Sequence, residues 1–328
     1  MVKRFCLFVL LMQLSIISAL SQSQQPSAQQ ATPQTQSFSA LLRKTVGFLR
    51  VSYSKDGHTR VIEGTCFFVF YEDKRLGEHG GFSYLVTNRH MATPEVPEGP
   101  EYPLDRVRVR LNLLNSDTGK ESEEGNIPFG NQMHWYFPVD DSVDLAVIPI
   151  LPNQAKYDYT GFPTSLFATK DVVKASGISE GDTVLFAGYF TGFPGLIKIQ
   201  PILRQGILAM MPDEKMQTTL RKPGELYLAD IHTLKGNSGS PIFVSVGGFR
   251  NGAMIMGDFP YRLLGVLSGY YYEDSDFNLS VASSVSGVVQ GNSGISLIVP
   301  VDEIKSLLDS PTLQALRDAE VASKKPVN

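Results

Sequence analysis

The chain has 328 residues, 42% of them hydrophobic, enough for one large domain or two small ones with real cores. Its 29 basic and 33 acidic residues give a net charge of −4 and form no Lys/Arg stripe, which argues against a nucleic-acid partner. The five histidines and two cysteines show neither HExxH nor Cys/His ligand spacing, so no metal and no cofactor is expected.

Residues 1–21, "MVKRFCLFVLLMQLSIISALS", read as an export signal. Lys3 and Arg4 precede an apolar run from Phe5 to Ile17, and Ala19 and Ser21 suit the −3 and −1 positions of a cleavage site before Gln22. The run is short for a membrane span, which needs ~20 residues, although an uncleaved anchor is the alternative. The expected address is periplasm or medium, with no stable membrane anchor after cleavage. Cys6 leaves with the signal, so the mature chain keeps only Cys66 and no internal disulfide. Cys66 lies in the apolar run "GTCFFVF" and is expected to be a buried small hydrophobe. Residues 22–37, "QSQQPSAQQATPQTQS", almost lack large apolar side chains and read as a disordered leader.

A short helix is expected in "FSALLRKTV", with Phe38, Leu41, Leu42 and Val46 at helical spacing. Strand-like runs follow: "VGFLRVSY", "TCFFVFY", "FSYLVTN", "VRVRLNLL", "MHWYFPV" and "VDLAVIPI". A second series comprises "DTVLFAGYF", "LIKIQPILRQGIL", "LYLADIHT", "SPIFVSV", "RLLGVLSGYYY" and "GISLIVPV". Twelve short runs separated by Gly, Pro, Asn and Asp point to an all-β sandwich or barrel. They divide into six-stranded units at 38–170 and 171–300, with "FATKDVVKASGISEGD" making the crossing. A helix and tail at 301–328 complete the chain, with Ile304, Leu307 and Leu308 on one helix face and Pro311 just beyond. The polar stretch "NSDTGKESEEGN" at 115–126 reads as a solvated hairpin.

Serine hydrolysis at neutral pH needs an exposed hydroxyl, a histidine to take its proton and a carboxylate to orient that histidine. His90 emerges where the strand "SYLVTNRHMA" stops, and by itself also fits a structural histidine. Asp144 opens the apolar run "SVDLAVIPI", where a carboxylate needs hydrogen-bond donors, and by itself also fits a turn residue. Asp140 and Asp141 sit in the preceding loop and read as solvated. Two serines share the tetrapeptide Gly-Asn-Ser-Gly, Ser238 and Ser293. Ser238 has two further strands and a helix behind it, enough chain to wall a groove, whereas Ser293 fits simple turn chemistry. Ser238 is therefore the candidate nucleophile.

The segments "TNRH", "DLAV" and "GNSGSP", in the order His, Asp, Ser, resemble the active-site motifs of trypsin-like (chymotrypsin-fold) serine peptidases. Asp144 follows His90 by 54 residues and Ser238 follows Asp144 by 94, spacings that fit two barrels. The likeness is nearest to exported bacterial members, the glutamyl endopeptidases and the HtrA-like peptidases, here without a PDZ domain. It covers roughly residues 45 to 309 and includes "GDTVLFAGYFTGFPGL" and "GISLIVPVDEIK". The resemblance implies two six-stranded antiparallel Greek-key β-barrels with the active site between them. It also implies His90 as general base and acid, Asp144 as its orienter, Ser238 as nucleophile, and the amides of Gly236 and Ser238 as oxyanion hole. Ser268 matches the serine that helps bind the triad carboxylate, Gly269 and Tyr270 would offer backbone to an extended substrate, and Thr233 would line the substrate pocket.

Three departures qualify the resemblance. Asn237 stands where zymogen-activated relatives carry an aspartate that captures a new N-terminus, so that activation route is not expected. Ser240 replaces the commoner glycine, as in the glutamyl endopeptidases. Leu267 replaces the histidine with which those enzymes hold a substrate carboxylate, leaving His232 as a partial substitute near the pocket floor. The expected function is an exported serine endopeptidase acting on polypeptides. The alternatives are a catalytically silent peptide-binding protein on the same fold and a structural surface protein.

Overall fold

The computed structural model describes residues 38–96, 98–114, 126–128, 134–250, 253–255, 260–280 and 284–324. The expected export signal, the leader and most of the polar stretch at 115–126 lie outside the described residues.

Helix α1 (Phe38–Thr45) matches the first expected helix and leads directly into β1 (Val46–Lys55). β1 and β2 (His58–Glu72) form a hairpin whose two-residue loop is Asp56-Gly57, with Lys55 opposite His58. Both loop residues have positive φ, 52° and 74°, the geometry that makes Asp-Gly a preferred two-residue hairpin turn. β3 (Gly81–Thr87) pairs with the far half of β2, and β4 (Leu104–Arg110) pairs with β1. β5 (Asn126–Pro128) lies on β4, β6 (Ala146–Pro149) on β3, and β7 (Phe162–Pro163) pairs parallel to β2.

The resulting sheet runs β5-β4-β1-β2-β3-β6, and among the described residues no ladder joins its two ends. The expected first barrel is therefore an open sheet. Among its described residues the run "MHWYFPV" contributes only an isolated bridge between Tyr136 and Val147, and Pro138 has no amide to extend it. β6 itself is only four residues long.

The second half closes. After helix α2 (Arg89–Ala92) in the first half, the crossing contains α3 (Lys170–Ser176), stopped by Gly177 in the left-handed region. Then come β8 (Thr183–Gly188), β9 (Ile202–Met210), the small hairpin β10 (Met216–Gln217) and β11 (Pro223–Gly224), and β12 (Tyr227–Asp230). β13 (Pro241–Ser245) precedes another small hairpin, β14 (Gly248–Arg250) with β15 (Ala253–Ile255). The long strands β16 (Tyr261–Ser280) and β17 (Ser284–Pro300) finish the sheet. Six of these form a closed barrel in the order β12-β17-β16-β13-β8-β9, with β9 returning to β12.

Phe186, Leu208, Ile242, Leu264 and Ile298 are buried together in one cluster contributed by five barrel strands. A larger cluster joins the halves: Phe67 and Val69 of β2 lie with Phe243, Val266 and Val299 of the barrel, and the Phe162 and Phe243 rings meet at 4.9 Å. Truncating a buried phenylalanine of this kind typically costs about 3–5 kcal/mol. Two helices, rather than the one expected, follow β17 among the described residues. α4 (Val301–Leu308) buries Ile304, Leu307 and Leu308 as expected. α5 (Pro311–Lys324) begins at the proline expected to end helical structure, because a first-turn helix residue needs no amide and proline's φ is already suitable.

Candidate active site

The register of β3 against β6 sets the first contact. Thr87 lies opposite Ala146, so the residues just past the end of β3 meet those just before β6. His90, in the helical turn α2, therefore meets Asp144. Its Nδ1 lies 2.8 Å from Asp144 Oδ2, and its backbone N–H donates to Asp144 Oδ1 at 3.0 Å. Asn88, fully buried, donates through Nδ2 to the Asp144 carbonyl oxygen at 2.9 Å and ties the two segments together.

Asp144 is 1% exposed, an environment that penalises an ionised carboxylate unless donors surround it. Besides His90, Oδ2 accepts from the Ser268 hydroxyl at 2.5 Å and the Thr219 hydroxyl at 3.0 Å. Burial alone would push its pKa up, but the His90 charge and the hydrogen bonds from His90 and Ser268 outweigh it and hold Asp144 below its ordinary value. For His90, burial favours the neutral ring, yet the Asp144 charge and hydrogen bond prevail and raise its pKa.

Ser238 sits in the turn between β12 and β13, and buried groups fix that turn. The Thr65 amide donates to the Ser238 carbonyl at 2.9 Å, and the Thr65 hydroxyl donates to the Gly236 carbonyl at 2.9 Å. Asn237 donates through Nδ2 to Tyr189 O at 2.6 Å and accepts from the Leu234 amide at 2.8 Å. Asn237 is thus an internal tether of the turn. Gly236 has φ +94°, and a Cβ there would lie 2.7 Å from the Tyr189 ring, so glycine is required twice over. Among the described residues the amides of Gly236 and Ser238 donate to no protein acceptor.

His90, Gly236 and Ser238 line one cleft of about 850 Å³, together with Thr233, Ser268, Gly269 and Tyr270. The structure brings His90 and Asp144 into direct contact and places Ser238 on the same cleft that His90 lines. The Ser238 hydroxyl, however, donates to the Ser268 carbonyl at 3.4 Å and makes no hydrogen bond to His90. β13 pairs with β16 only as far as Val266, and Leu267 then bonds to Gly239 and Ser240. Beyond this point the cleft-side edge of β16, carrying Ser268 to Tyr270, has no strand partner among the described residues, which leaves room for an added extended chain.

Thr233 is buried, its hydroxyl engaged with Ser296 Oγ at 3.0 Å, and Leu267 and Leu297 flank it along the cleft. His232 is exposed and does not line the cleft, so the substitute role considered for it is not supported. Ser293 lies inside β17, not in a free turn; its hydroxyl donates to Tyr271 O at 2.9 Å beside a register shift in the β16–β17 ladder. Cys66 is fully buried, with burial pushing its thiol pKa up and its Sγ donating to Gly47 O at 3.5 Å. Two site residues carry no signal in the sequence: Thr65, inside an apolar strand, and Thr219, inside the aperiodic stretch "MQTTLRKPG".

No known protein-family model matches the chain, and comparison with curated protein sequences finds no match. Among solved structures, the chain is similar to the HtrA-type protease AlgW with decapeptide, at 16% identity and a TM-score of 0.44 over 82% of this chain and 66% of that one. It is also similar to Deg5, at 15% identity and a TM-score of 0.42 over 81% of this chain and 87% of that one.

Proposed function

We propose that the protein is an exported serine endopeptidase that hydrolyses polypeptides through an acyl-enzyme. The observation that carries this reading is the His90–Asp144 pair at 2.8 Å, opening on the same cleft as Ser238 and its two unpaired turn amides. A substrate would lie extended along the free edge at Ser268 to Tyr270. A rotamer change would carry Ser238 Oγ from the Ser268 carbonyl to His90 Nε2, which takes its proton as the oxygen attacks the substrate carbonyl. The amides of Gly236 and Ser238 receive the oxyanion; one such donor is typically worth about 10²–10³ in turnover. His90 then protonates the departing amine, and water, activated by the same imidazole, releases the acyl group from Ser238.

The test is reaction of the folded, mature protein with a fluorophosphonate, followed by proteolysis of an unfolded protein. Wild type is expected to react in both and Ser238→Ala in neither; reaction that survives the substitution defeats the assignment. A second reading, a catalytically silent peptide-binding protein, is favoured by the Ser238 hydroxyl resting on Ser268 O. Peptide binding by an unlabelled wild type would establish that reading instead.

A further inference from the structure

The small hairpin β10–β11 leaves the barrel and embraces the loop that carries Asp144. A Cβ on Gly224 would lie 2.9 Å from Ser142 Oγ, so only glycine lets the hairpin backbone come this close. Ion pairs fasten the hairpin to the first half: Arg221 with Glu98 at 2.8 Å, Lys215 with Asp140 at 3.9 Å, and Lys222 with Asp141. Its turn is closed by Thr218 N–H to Lys222 O at 2.9 Å and Arg221 N–H to Thr218 O at 3.0 Å. The outcome is the placement of one side chain, Thr219, against the buried carboxylate.

Three oxygens meet there. Ser268 Oγ lies 2.5 Å from Asp144 Oδ2, Thr219 Oγ1 lies 3.0 Å from the same oxygen, and the two hydroxyls are 2.7 Å apart. Two hydroxyls supply two protons for three contacts. With the Ser268 proton on Asp144, the Thr219 proton goes either to Asp144 directly or to Ser268, where it makes Ser268 a stronger donor. Either arrangement spreads the carboxylate charge away from the imidazole. The Thr219 methyl packs over Gly269, where a Cβ would approach it to 2.9 Å.

We infer that Thr219 is a positioning residue for the His90–Asp144 pair, acting through Asp144 and delivered by the β10–β11 hairpin. Its catalytic consequence rests on the peptidase reading. Asp144 is the charged group in contact with the imidazole, while Glu63, Glu95, Glu98, Arg221 and Lys235 line the wider cleft.

The experiment follows the His90 imidazole by NMR across a pH series in the full mature protein, alongside the rate of fluorophosphonate labelling. Thr219→Val keeps the shape and removes the hydroxyl; Thr219→Ser does the reverse. In Thr219→Val the localised Asp144 charge is expected to move the His90 midpoint upward, and labelling to slow about tenfold, the scale of one lost hydrogen bond to a charged group. Thr219→Ala, a second hydroxyl-free variant, should shift the midpoint likewise, and Thr219→Ser should match wild type. An unchanged midpoint in the hydroxyl-free variants, or an equal shift in Thr219→Ser, overturns the inference. A wild type that never labels defeats the peptidase reading alone, because the titration still decides the role of Thr219.

Discussion

Thr65, on a strand of the N-terminal sheet, donates its hydroxyl to the carbonyl of Gly236, two residues before Ser238 in the C-terminal half. The same oxygen accepts the Tyr189 amide at 2.8 Å, and the Thr65 carbonyl accepts the Thr87 hydroxyl at 2.8 Å. One fully buried threonine thus satisfies a backbone donor and a backbone acceptor from two different loops of the barrel. Its position on β2 is fixed by ten register pairs with β1, so the sheet serves as the rigid frame for the nucleophile turn.

Thr65→Val is nearly isosteric and leaves both partners buried without a mate. Each unsatisfied group costs about 1–3 kcal/mol, so a loss of roughly 2–6 kcal/mol is expected in urea denaturation. The Gly236 peptide also loses the bond that holds its orientation, so fluorophosphonate labelling should fall further than unfolding accounts for. A variant as reactive as wild type under conditions where it is fully folded would exclude this framing role.

The His90–Asp144 pair fixes a pH dependence. A general base must be neutral, and His90 is held above its ordinary 6.5 because the Asp144 charge and hydrogen bond outweigh burial. Labelling should therefore rise with pH along a limb whose midpoint lies above 6.5. In folding, the His90 contribution is complete below 6.5 and is lost as pH rises through its raised value. The Asp144 contribution is present above 3.8 and is lost as pH falls through its lowered value. Asp144→Asn removes the charge and leaves burial, so the His90 midpoint should drop below 6.5 and labelling should fall about 10⁴-fold. A midpoint that stays above 6.5 in this variant would mean that another group raises it.

What the sequence conveyed, and what it withheld, follows from how each feature is encoded. His90 and Asp144 are legible because each adjoins a strongly apolar strand, and the β3–β6 register then brings them together. Ser238 stands out through its flanking glycines, of which Gly236 answers a real φ requirement. Thr219 is invisible because it lies in the short turn between two two-residue strands, where no periodicity marks it, and its partner Asp144 is 75 residues away. The open sheet is equally hidden: "MHWYFPV" has the composition of a strand, and only its proline hints that a ladder fails there. Pro311 has two meanings, a stop after one helix or the first residue of the next, and only packing of Leu313 and Val321 into the core decides between them.

Asn237 offers a sharper test of the nucleophile turn. It is 1% exposed and donates one hydrogen bond through Nδ2 to the Tyr189 carbonyl. Asn237→Asp would set a carboxylate oxygen against that carbonyl, with no cation among its partners. Such an aspartate is expected to have a raised pKa, so its penalty is absent at low pH and grows as pH rises past the unfolded value. The melting temperature of the variant should approach wild type near pH 4 and fall progressively below it toward pH 8. A constant difference across that range would show that the oxygen replacing Nδ2 had found a donor of its own, beside the Leu234 amide on the other oxygen.

Arg317 ties the last helix to the first sheet and should matter for stability alone. Its guanidinium is 3% exposed and donates to Leu308 O at 2.7 Å and to the Tyr84 hydroxyl at 3.0 Å. It also lies 4.0 Å over the Tyr71 ring. A planar cation can make the two bonds and the stack at once, which a lysine ammonium cannot. Arg317→Met keeps most of the stem and abandons both acceptors, for an expected loss of about 2–4 kcal/mol in urea denaturation. Arg317→Lys should fall between Met and wild type. Because no atom of Arg317 lines the active cleft, the folded fraction of each variant should label at the wild-type rate. A slower folded fraction would mean that the helix acts on the cleft through the shared core, and that the sheet and the last helix form one mechanical unit.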